Sequence, residues 1–175
     1  VLSCASFFLL KTLMSAGPVL VYRVGGWNPP LGICLVADGL SVLMLLVVNT
    51  VALPVVLYAC SYMKPYTGKE RFYALLLLLF AGLNGTLLSG DLFNLYVFIE
   101  LTSLSAYLLV AFGVSAESLE ASFKYAIMGA VASLFILLGI AFLYGYTSSL
   151  MMADISSVLS GRSNTVLVGF VSVLF

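Results

Sequence analysis

The sequence contains no histidine and only three cysteines, and it has few charged residues. Charged residues make up 8% of the 175 positions, and the cysteines, Cys4, Cys34 and Cys60, stand far apart. Without histidine there are no imidazole metal ligands and no histidine-based acid–base catalysis, and isolated cysteines lack the spacing of zinc or iron–sulfur motifs. No motif for a nicotinamide, a flavin or a haem is present either. We therefore predict no metal, no cofactor and no catalytic residue, and we interpret the cysteines as packing residues.

Charge of either sign is not in excess, since seven Lys and Arg stand against seven Asp and Glu. No basic tract is present that could follow a phosphate backbone, so the sequence excludes nucleic acid as a partner. Hydrophobic residues account for 63% of the chain, and its mean hydropathy is +1.20. Such a composition is typical of an integral membrane protein, with the lipid bilayer as its solvent.

The apolar segments predict an all-α protein, a polytopic bundle of transmembrane helices. About 20 residues are needed to span a bilayer. Four segments are long enough, at about 38–63, 72–88, 91–112 and 121–146, and partial helices are predicted before residue 14 and after residue 164. We expect residues 1–175 to be a single membrane domain that forms an internal portion of a longer subunit.

A short β-hairpin is predicted between the first partial helix and the first complete one. Residues 19–24 and 31–36 are β-prone, and the segment 25–30 has turn chemistry with Trp27 at the membrane interface. The loop 64–71 carries three positive charges against a single acid, which predicts a cytoplasmic position. The hairpin is then extracytoplasmic, the loop 113–120 is cytoplasmic, and the loop 145–163 lies outside.

One carboxyl, that of Glu100, lies near the middle of an otherwise apolar segment. A carboxylate at that depth costs roughly 2.5 to 3.5 kcal/mol on insertion scales, which indicates a functional role. At about 100° per residue, the acid shares one stripe of its helix with the hydroxyls of Tyr96, Ser103 and Tyr107. The stripe predicts a polar path for ions. The alternative is a carboxyl that serves only the association of helices.

Other charged residues each have two interpretations. Asp38 and Asp91 precede predicted helices, where a carboxylate accepts hydrogen bonds from free N–H groups, so we predict structural caps, with ion ligation as the alternative for Asp91. Lys124 follows Glu120 by four residues, as in a surface ion pair with a snorkelling stem. Its predicted place one turn inside the helix opposes the dipole and would equally suit a point where protons enter. Lys11 fits an interfacial charge, with a buried role as the alternative.

Five motifs occur in order along the chain. They are YRVGGWNPPLGI (22–33), ADGLSVLM (37–44), GDLFNLYVFIE (90–100), EASFKYAIM (120–128) and LYG (143–145). Together they resemble the antiporter-like membrane subunits shared by respiratory complex I, membrane-bound hydrogenases and Mrp-type cation/proton antiporters. The GGW and GDLFNLYVFIE runs look most like the Mrp D subunit, whereas SFKYAIMG is similar to the smallest antiporter-like subunit of complex I.

The resemblance implies that Glu100 is the family's essential glutamate of the fifth helix, which works with a lysine of the broken seventh helix. That lysine lies beyond this chain, and Lys124 matches a sixth-helix lysine found in some members only. The resemblance also implies a multi-pass subunit that translocates protons, with Na+ as a further candidate ion. Such a subunit would assemble with other membrane subunits in the inner (cytoplasmic) membrane, and this chain would be its first inverted-repeat region.

The mechanism implied by the resemblance is electrostatic. In a low-dielectric interior, desolvation disfavours a charged carboxyl and a nearby ammonium favours it, so moving the cation changes the proton affinity. One pKa unit corresponds to about 1.36 kcal/mol, and one charge moved through 100 mV to about 2.3 kcal/mol. Three hypotheses stay open: a proton or Na+/H+ transporter subunit, the pumping arm of an NADH:quinone oxidoreductase or hydrogenase whose redox reaction occurs elsewhere, and a non-conducting scaffold.

Overall fold

The structure is a computed structural model, and it describes residues 7–12, 15, 17, 19–27 and 32–161. Residues 7–12 are helical. The remaining elements are strands β1 (Val19–Arg23) and β2 (Cys34–Asp38) and helices α1 (Gly39–Tyr62), α2 (Lys69–Leu88), α3 (Leu92–Val110), α4 (Ala116–Thr147) and α5 (Met152–Gly161). A short 3-10 turn, Ala111–Gly113, continues α3.

Helices α1 to α4 are each long and apolar enough to cross a membrane, so the four complete spans predicted from the sequence are confirmed. Of the two predicted partial helices, the first is described only over residues 7–12, and the second lies outside the described residues.

The two strands form the predicted hairpin, an antiparallel pair whose register runs from Val19 opposite Asp38 to Arg23 opposite Cys34. The second strand begins at Cys34, three residues later than the sequence suggested. One further bond in the same register, from the Val24 N–H to the Ile33 carbonyl at 2.9 Å, lies just beyond the paired strands. Most of the predicted turn, residues 28–30, lies outside the described residues.

Two predicted loops were wrong. The segment 113–120 is mostly helix, because Ser115 and Ser118 form a reciprocal capping box that starts α4 at Ala116. Each backbone N–H donates to the other serine's hydroxyl, at 3.0 and 3.1 Å. Lys124 is consequently more than two turns inside α4, so the dipole argument made from its sequence position does not apply. The segment 145–163 also contains a helix, α5.

Packing between α1 and α2 combines an apolar cluster with one polar pair. Ala52, Leu76 and Phe80 are buried together. The side-chain amides of Asn49 and Asn84 donate to each other's oxygens at 3.1 and 3.2 Å, which satisfies both amides across the two helices. This reciprocal bond fixes the register of the two helices within the apolar segment.

At the end of the bundle that carries the hairpin, three connections are joined by backbone hydrogen bonds. The Gly90 N–H donates to the Cys34 carbonyl at 3.0 Å, and the Met152 N–H donates to the Gly90 carbonyl at 3.1 Å. The Leu92 N–H donates to the Leu150 carbonyl at 2.9 Å. These bonds tie the α2–α3 turn to both β2 and the α4–α5 connection, so the start of α3 is held from two sides.

Candidate functional site

Helix α3, which carries Glu100, begins at a well-defined cap. The Asn94 N–H donates to the Asp91 carboxylate at 2.8 Å, and the Asn94 side chain donates to the Ser89 hydroxyl at 2.9 Å. Asp91 is buried, and its carboxylate is engaged in this bond. Asp38 is placed in the same way before α1, where it accepts from the Ser41 N–H at 2.7 Å, and the hydrogen bonds from Ser41 lower the pKa of Asp38.

One face of α3 packs tightly on α2, and we call this contact the α2–α3 seam. A Cβ on Gly82 would overlap the Thr102 hydroxyl and would lie 2.9 Å from the Thr102 backbone nitrogen. A Cβ on Gly85 would overlap the Phe98 ring. The Thr102 hydroxyl donates within its own helix to the Phe98 carbonyl at 2.8 Å. The seam therefore depends on small residues that let two backbones approach closely.

The predicted stripe lies on the opposite face of α3. Glu100 follows Phe98 by two residues, which turns it about 200° away from the α2–α3 seam. The four residues of the stripe are all half-buried: Tyr96, Glu100, Ser103 and Tyr107. The sequence suggested a fully enclosed carboxyl at Glu100, and the described part of the chain does not enclose it. Within the described part of the chain, no side chain makes an ion pair or hydrogen bond with Glu100.

At its far end the stripe meets α4, and we call this contact the α3–α4 seam. A Cβ on Gly129 would overlap the Tyr107 hydroxyl and would lie 2.8 Å from the ring carbon that bears it. The Ser122 hydroxyl donates to the Tyr107 carbonyl at 2.8 Å, and the Tyr107 and Tyr125 rings meet edge to face with centroids 4.7 Å apart. Tyr107 therefore connects the Glu100 stripe to a polar face of α4.

Lys124 does not join this arrangement. It follows Ser122 by two residues, so it points about 200° away from the face that contacts α3. Its ammonium pairs with the Glu120 carboxylate, and the two side chains are 74% and 66% exposed. Since α3 and α4 contact each other near Tyr107, Glu100 also lies about 10 Å further along the helix axis. The structure thus does not bring Lys124 to Glu100.

Sequence reasoning missed the residues that hold the site in place. Gly82, Gly85 and the Asn49–Asn84 pair position α3 and its neighbours, and none of them was singled out. Glycines three residues apart and an asparagine in each of two apolar segments are signals that could have found them. No group of three or more metal-ligating side chains occurs among the described residues.

Two protein-family models match the sequence. Residues 89–175 match the family described as "NADH:quinone oxidoreductase/Mrp antiporter, TM". Residues 23–73 match "NADH-Ubiquinone oxidoreductase (complex I), chain 5 N-terminus". The second match includes β2 and α1, and the first includes Glu100, Tyr107 and Gly129. Residues 74–88, which contain Gly82 and Gly85, lie between the two matches.

Among known proteins, the N subunit of the NADH-quinone oxidoreductase of Desulforudis audaxviator (strain MP104C) is 45% identical over 91% of this chain and 32% of its own length. The D subunit of the Na(+)/H(+) antiporter of Bacillus subtilis (strain 168) is 35% identical over 97% of this chain and 34% of its own length. A chain of the membrane-bound sulfane sulfur reductase, an archaeal respiratory membrane complex, superposes with a TM-score of 0.87 at 34% identity. That superposition covers 99% of this chain and 35% of the other. The chain therefore spans about a third of the length of each of these three proteins.

Proposed function

Because the chain belongs to the family of antiporter-like membrane subunits shared by NADH:quinone oxidoreductases and Mrp antiporters, we propose that it translocates protons through Glu100. The observation that carries the proposal is the half-buried Glu100 carboxyl, which lacks a partner among the described residues and lines up with three hydroxyls. The Glu100 carboxyl takes up and releases the proton, and Tyr96, Ser103 and Tyr107 support a hydrated path beside it.

The energetics of a carboxyl in an apolar segment suit this role. Its charged form costs roughly 2.5 to 3.5 kcal/mol at the centre of a membrane, so protonation and deprotonation respond strongly to nearby charge. Hydroxyls that both donate and accept can bond either form of the acid, directly or through water. A cation that approaches or leaves the Glu100 face would then drive proton release or uptake. Lys124 is not that cation in this arrangement, and its part in translocation stays a prediction.

The membrane, the partner subunits and the ions that we propose for this chain come from its similarity to the family. The chain acts within a multisubunit complex of the inner (cytoplasmic) membrane, in contact with other membrane subunits. Protons are the primary ion that it moves, and Na+ is the second ion that we consider. The similarity to antiporter subunits favours an exchange of protons for Na+. The similarity to oxidoreductase subunits favours proton pumping that is coupled to redox chemistry in a partner subunit. Both uses need the same protonatable group, so the proposal holds for either complex.

The orientation that we propose places the loop 64–71 in the cytoplasm and the hairpin outside, on the strength of the basic residues in that loop. A single cysteine would replace Thr67 or Trp27 in a full-length subunit lacking its native cysteines. In intact cells, we expect an impermeant thiol reagent to label position 27 and not position 67. Labelling of position 67 alone would show that the loop 64–71 lies outside and that the proposed orientation is wrong.

The central test is Glu100→Gln in the full-length subunit. The amide keeps the shape of the side chain and removes the titratable charge, so the complex should assemble while proton or Na+ flux falls to background. Flux is measured in everted vesicles with a pH-sensitive dye and with a Na+ assay, and assembly is measured on a native gel.

Glu117→Gln is the matched control, since it makes the same chemical change at an exposed position in the first turn of α4. It should leave flux at the parental level. Parental flux by an assembled Glu100→Gln variant would remove the protonation role and support the alternative of a non-conducting scaffold.

A further inference from the structure

A groove opens at the end of the bundle opposite the hairpin, between the α1–α2 connection and the α3–α4 turn. Its volume is about 730 Å³. One wall comes from the α1–α2 connection and the start of α2, and the other comes from the end of α3 and the turn that follows. Its lining includes Tyr66, Thr67, Glu70, Arg71, Leu75, Leu108 and Phe112. We refer to this space as the loop-end groove.

The chain segment that forms one wall of the loop-end groove is mainly positive. Arg71 and Glu70 line it directly. Lys64 and Lys69 belong to the same short segment, which makes three positive charges against one negative charge over residues 64–71. Arg71 is exposed, and among the described residues it forms no ion pair that would neutralise it. An anionic group in the groove would therefore meet an available guanidinium, the side chain best suited to bind phosphate.

Part of the groove lining is apolar and aromatic. Leu75, Leu108 and Phe112 line it, and a second cavity of about 180 Å³ shares Tyr66 and Phe112 with it. The Phe72 and Phe112 rings pack edge to face with centroids 5.4 Å apart, and both line this second cavity. A free phosphate ion would gain nothing from these walls, whereas an acyl chain would.

The groove also lies at the ends of three helices that are long and apolar enough to span a membrane, where we expect the lipid headgroups. It sits where α1 ends and α2 begins, beside a stack of three tyrosines, Tyr58, Tyr62 and Tyr66, with ring centroids 5.6 and 5.7 Å apart. Tyrosines concentrate at membrane–water interfaces, because one end of the side chain is apolar and the other is wet. A ligand in the groove would have its charged end at the loop and its apolar end beside α2 and α3.

We propose that the loop-end groove binds an anionic phospholipid of the surrounding membrane. The phosphate pairs with Arg71 within the positive field of Lys64 and Lys69, and the first part of an acyl chain packs against Leu108 and Phe112. Glu70 and the Thr67 hydroxyl can accept hydrogen bonds from a headgroup hydroxyl, as a glycerol headgroup offers. Basic pockets between transmembrane helices are known to hold such headgroups.

The test uses a photoactivatable phosphatidylglycerol with the full-length subunit, purified together with its partner subunits. Crosslinks are mapped by mass spectrometry to peptides that contain residues 64–75 and 108–114. Below saturation, Arg71→Gln should lower the crosslink yield about fivefold, the factor expected for one basic residue at a membrane surface. Leu108→Trp, which fills the apolar part at an exposed position, should lower the yield without any change of charge.

Lys11→Gln is the control, since it removes one exposed cation elsewhere in the chain and should leave the yield unchanged. Unlabelled phosphatidylglycerol should compete, and phosphatidylcholine or inorganic phosphate in the same excess should not. An unchanged yield in Arg71→Gln, or equal competition by phosphatidylcholine, would overturn the proposal. Competition by inorganic phosphate would contradict lipid binding, because it would show that the groove binds small anions without an acyl chain. Protection of the groove by a partner subunit, seen as the absence of any crosslink, would also refute it.

Discussion

The two seams of α3 use glycine for opposite purposes. In the α2–α3 seam, Gly82 lets the two backbones approach until the Thr102 nitrogen is 2.9 Å from where a Cβ would be, and little room is left for water. In the α3–α4 seam, Gly129 instead makes room for the Tyr107 hydroxyl, next to Ser122 and Tyr125. One helix therefore has a tightly packed side that fixes its position and a polar side on which Glu100 lies.

The comparison teaches how a membrane helix can carry a costly carboxyl without losing its place in the bundle. Close packing and the internal hydrogen bond of Thr102 hold α3 on one side. The bond from Asn94 to the Asp91 cap holds its start. Because these contacts do not involve the stripe, a change of charge at Glu100 would leave them in place.

The largest effect on stability is expected for Gly82→Ala, which breaks the α2–α3 seam. The added methyl group meets the backbone of Thr102, which cannot move without separating the helices, so overpacking should cost about 1–3 kcal/mol. We expect less assembled complex on a native gel and a lower midpoint in thermal unfolding of the purified protein. Residual complex should still translocate ions, and a fully stable Gly82→Ala variant would show that the seam is not tightly packed.

A smaller stability effect but a clear functional one is expected for Gly129→Ala in the α3–α4 seam. The methyl group meets the end of a side chain that can rotate, so Tyr107 should move off its rotamer at about 0.5–1.5 kcal/mol. Assembly should survive, and the pH profile of flux should shift because the hydroxyl has left the path.

The double variant Gly129→Ala with Tyr107→Phe distinguishes the packing role of Tyr107 from the role of its hydroxyl in the polar path. Removing the hydroxyl relieves the worst overlap, so thermal stability should return toward that of Tyr107→Phe alone. The pH profile of flux should stay shifted, since the double variant lacks the Tyr107 hydroxyl altogether. A parental pH profile in the double variant would mean that Tyr107 serves packing only.

The smallest effect is expected for Lys124→Ala, which lies outside both seams. Exposed ion pairs contribute about 0.2–1 kcal/mol at most, so assembly and thermal unfolding should stay close to the parent. Flux should also stay close to the parent, with Lys124→Arg as a control that retains the charge. A loss of flux in Lys124→Ala that Lys124→Arg restores would support the alternative, in which protons enter the path near this lysine.

Much of the fold could be predicted because its signals are local. Four apolar segments of sufficient length predicted four spans, and the Gly-Gly-Trp turn between β-prone runs predicted the hairpin. The errors lie in the connections. The capping box of Ser115 and Ser118 was not recognised, so α4 was started five residues late, and the polar residues of 145–163 concealed α5.

The candidate site was predictable only as a stripe on one helix. Periodicity alone placed Glu100 with Tyr96, Ser103 and Tyr107, because residues of one helix share a face at fixed spacing. Periodicity does not say which neighbouring helix that face meets. The sequence could not reveal that Tyr107 reaches Gly129 or that Lys124 faces away from Glu100, since these depend on how two helices are rotated against each other.

The sequence by itself determined that this is a helical membrane protein with one carboxyl deep in an apolar span, since hydropathy, helix length and helical periodicity are properties of single segments. The tertiary structure decided which side of α3 is closed by α2 and which side offers its hydroxyls to α4. The physical reason is that close approach in a membrane depends on pairs of surfaces, a glycine on one helix and a bulky or polar group on the other. Such pairs, Gly82 with Thr102 and Gly129 with Tyr107, exist only once the helices are packed.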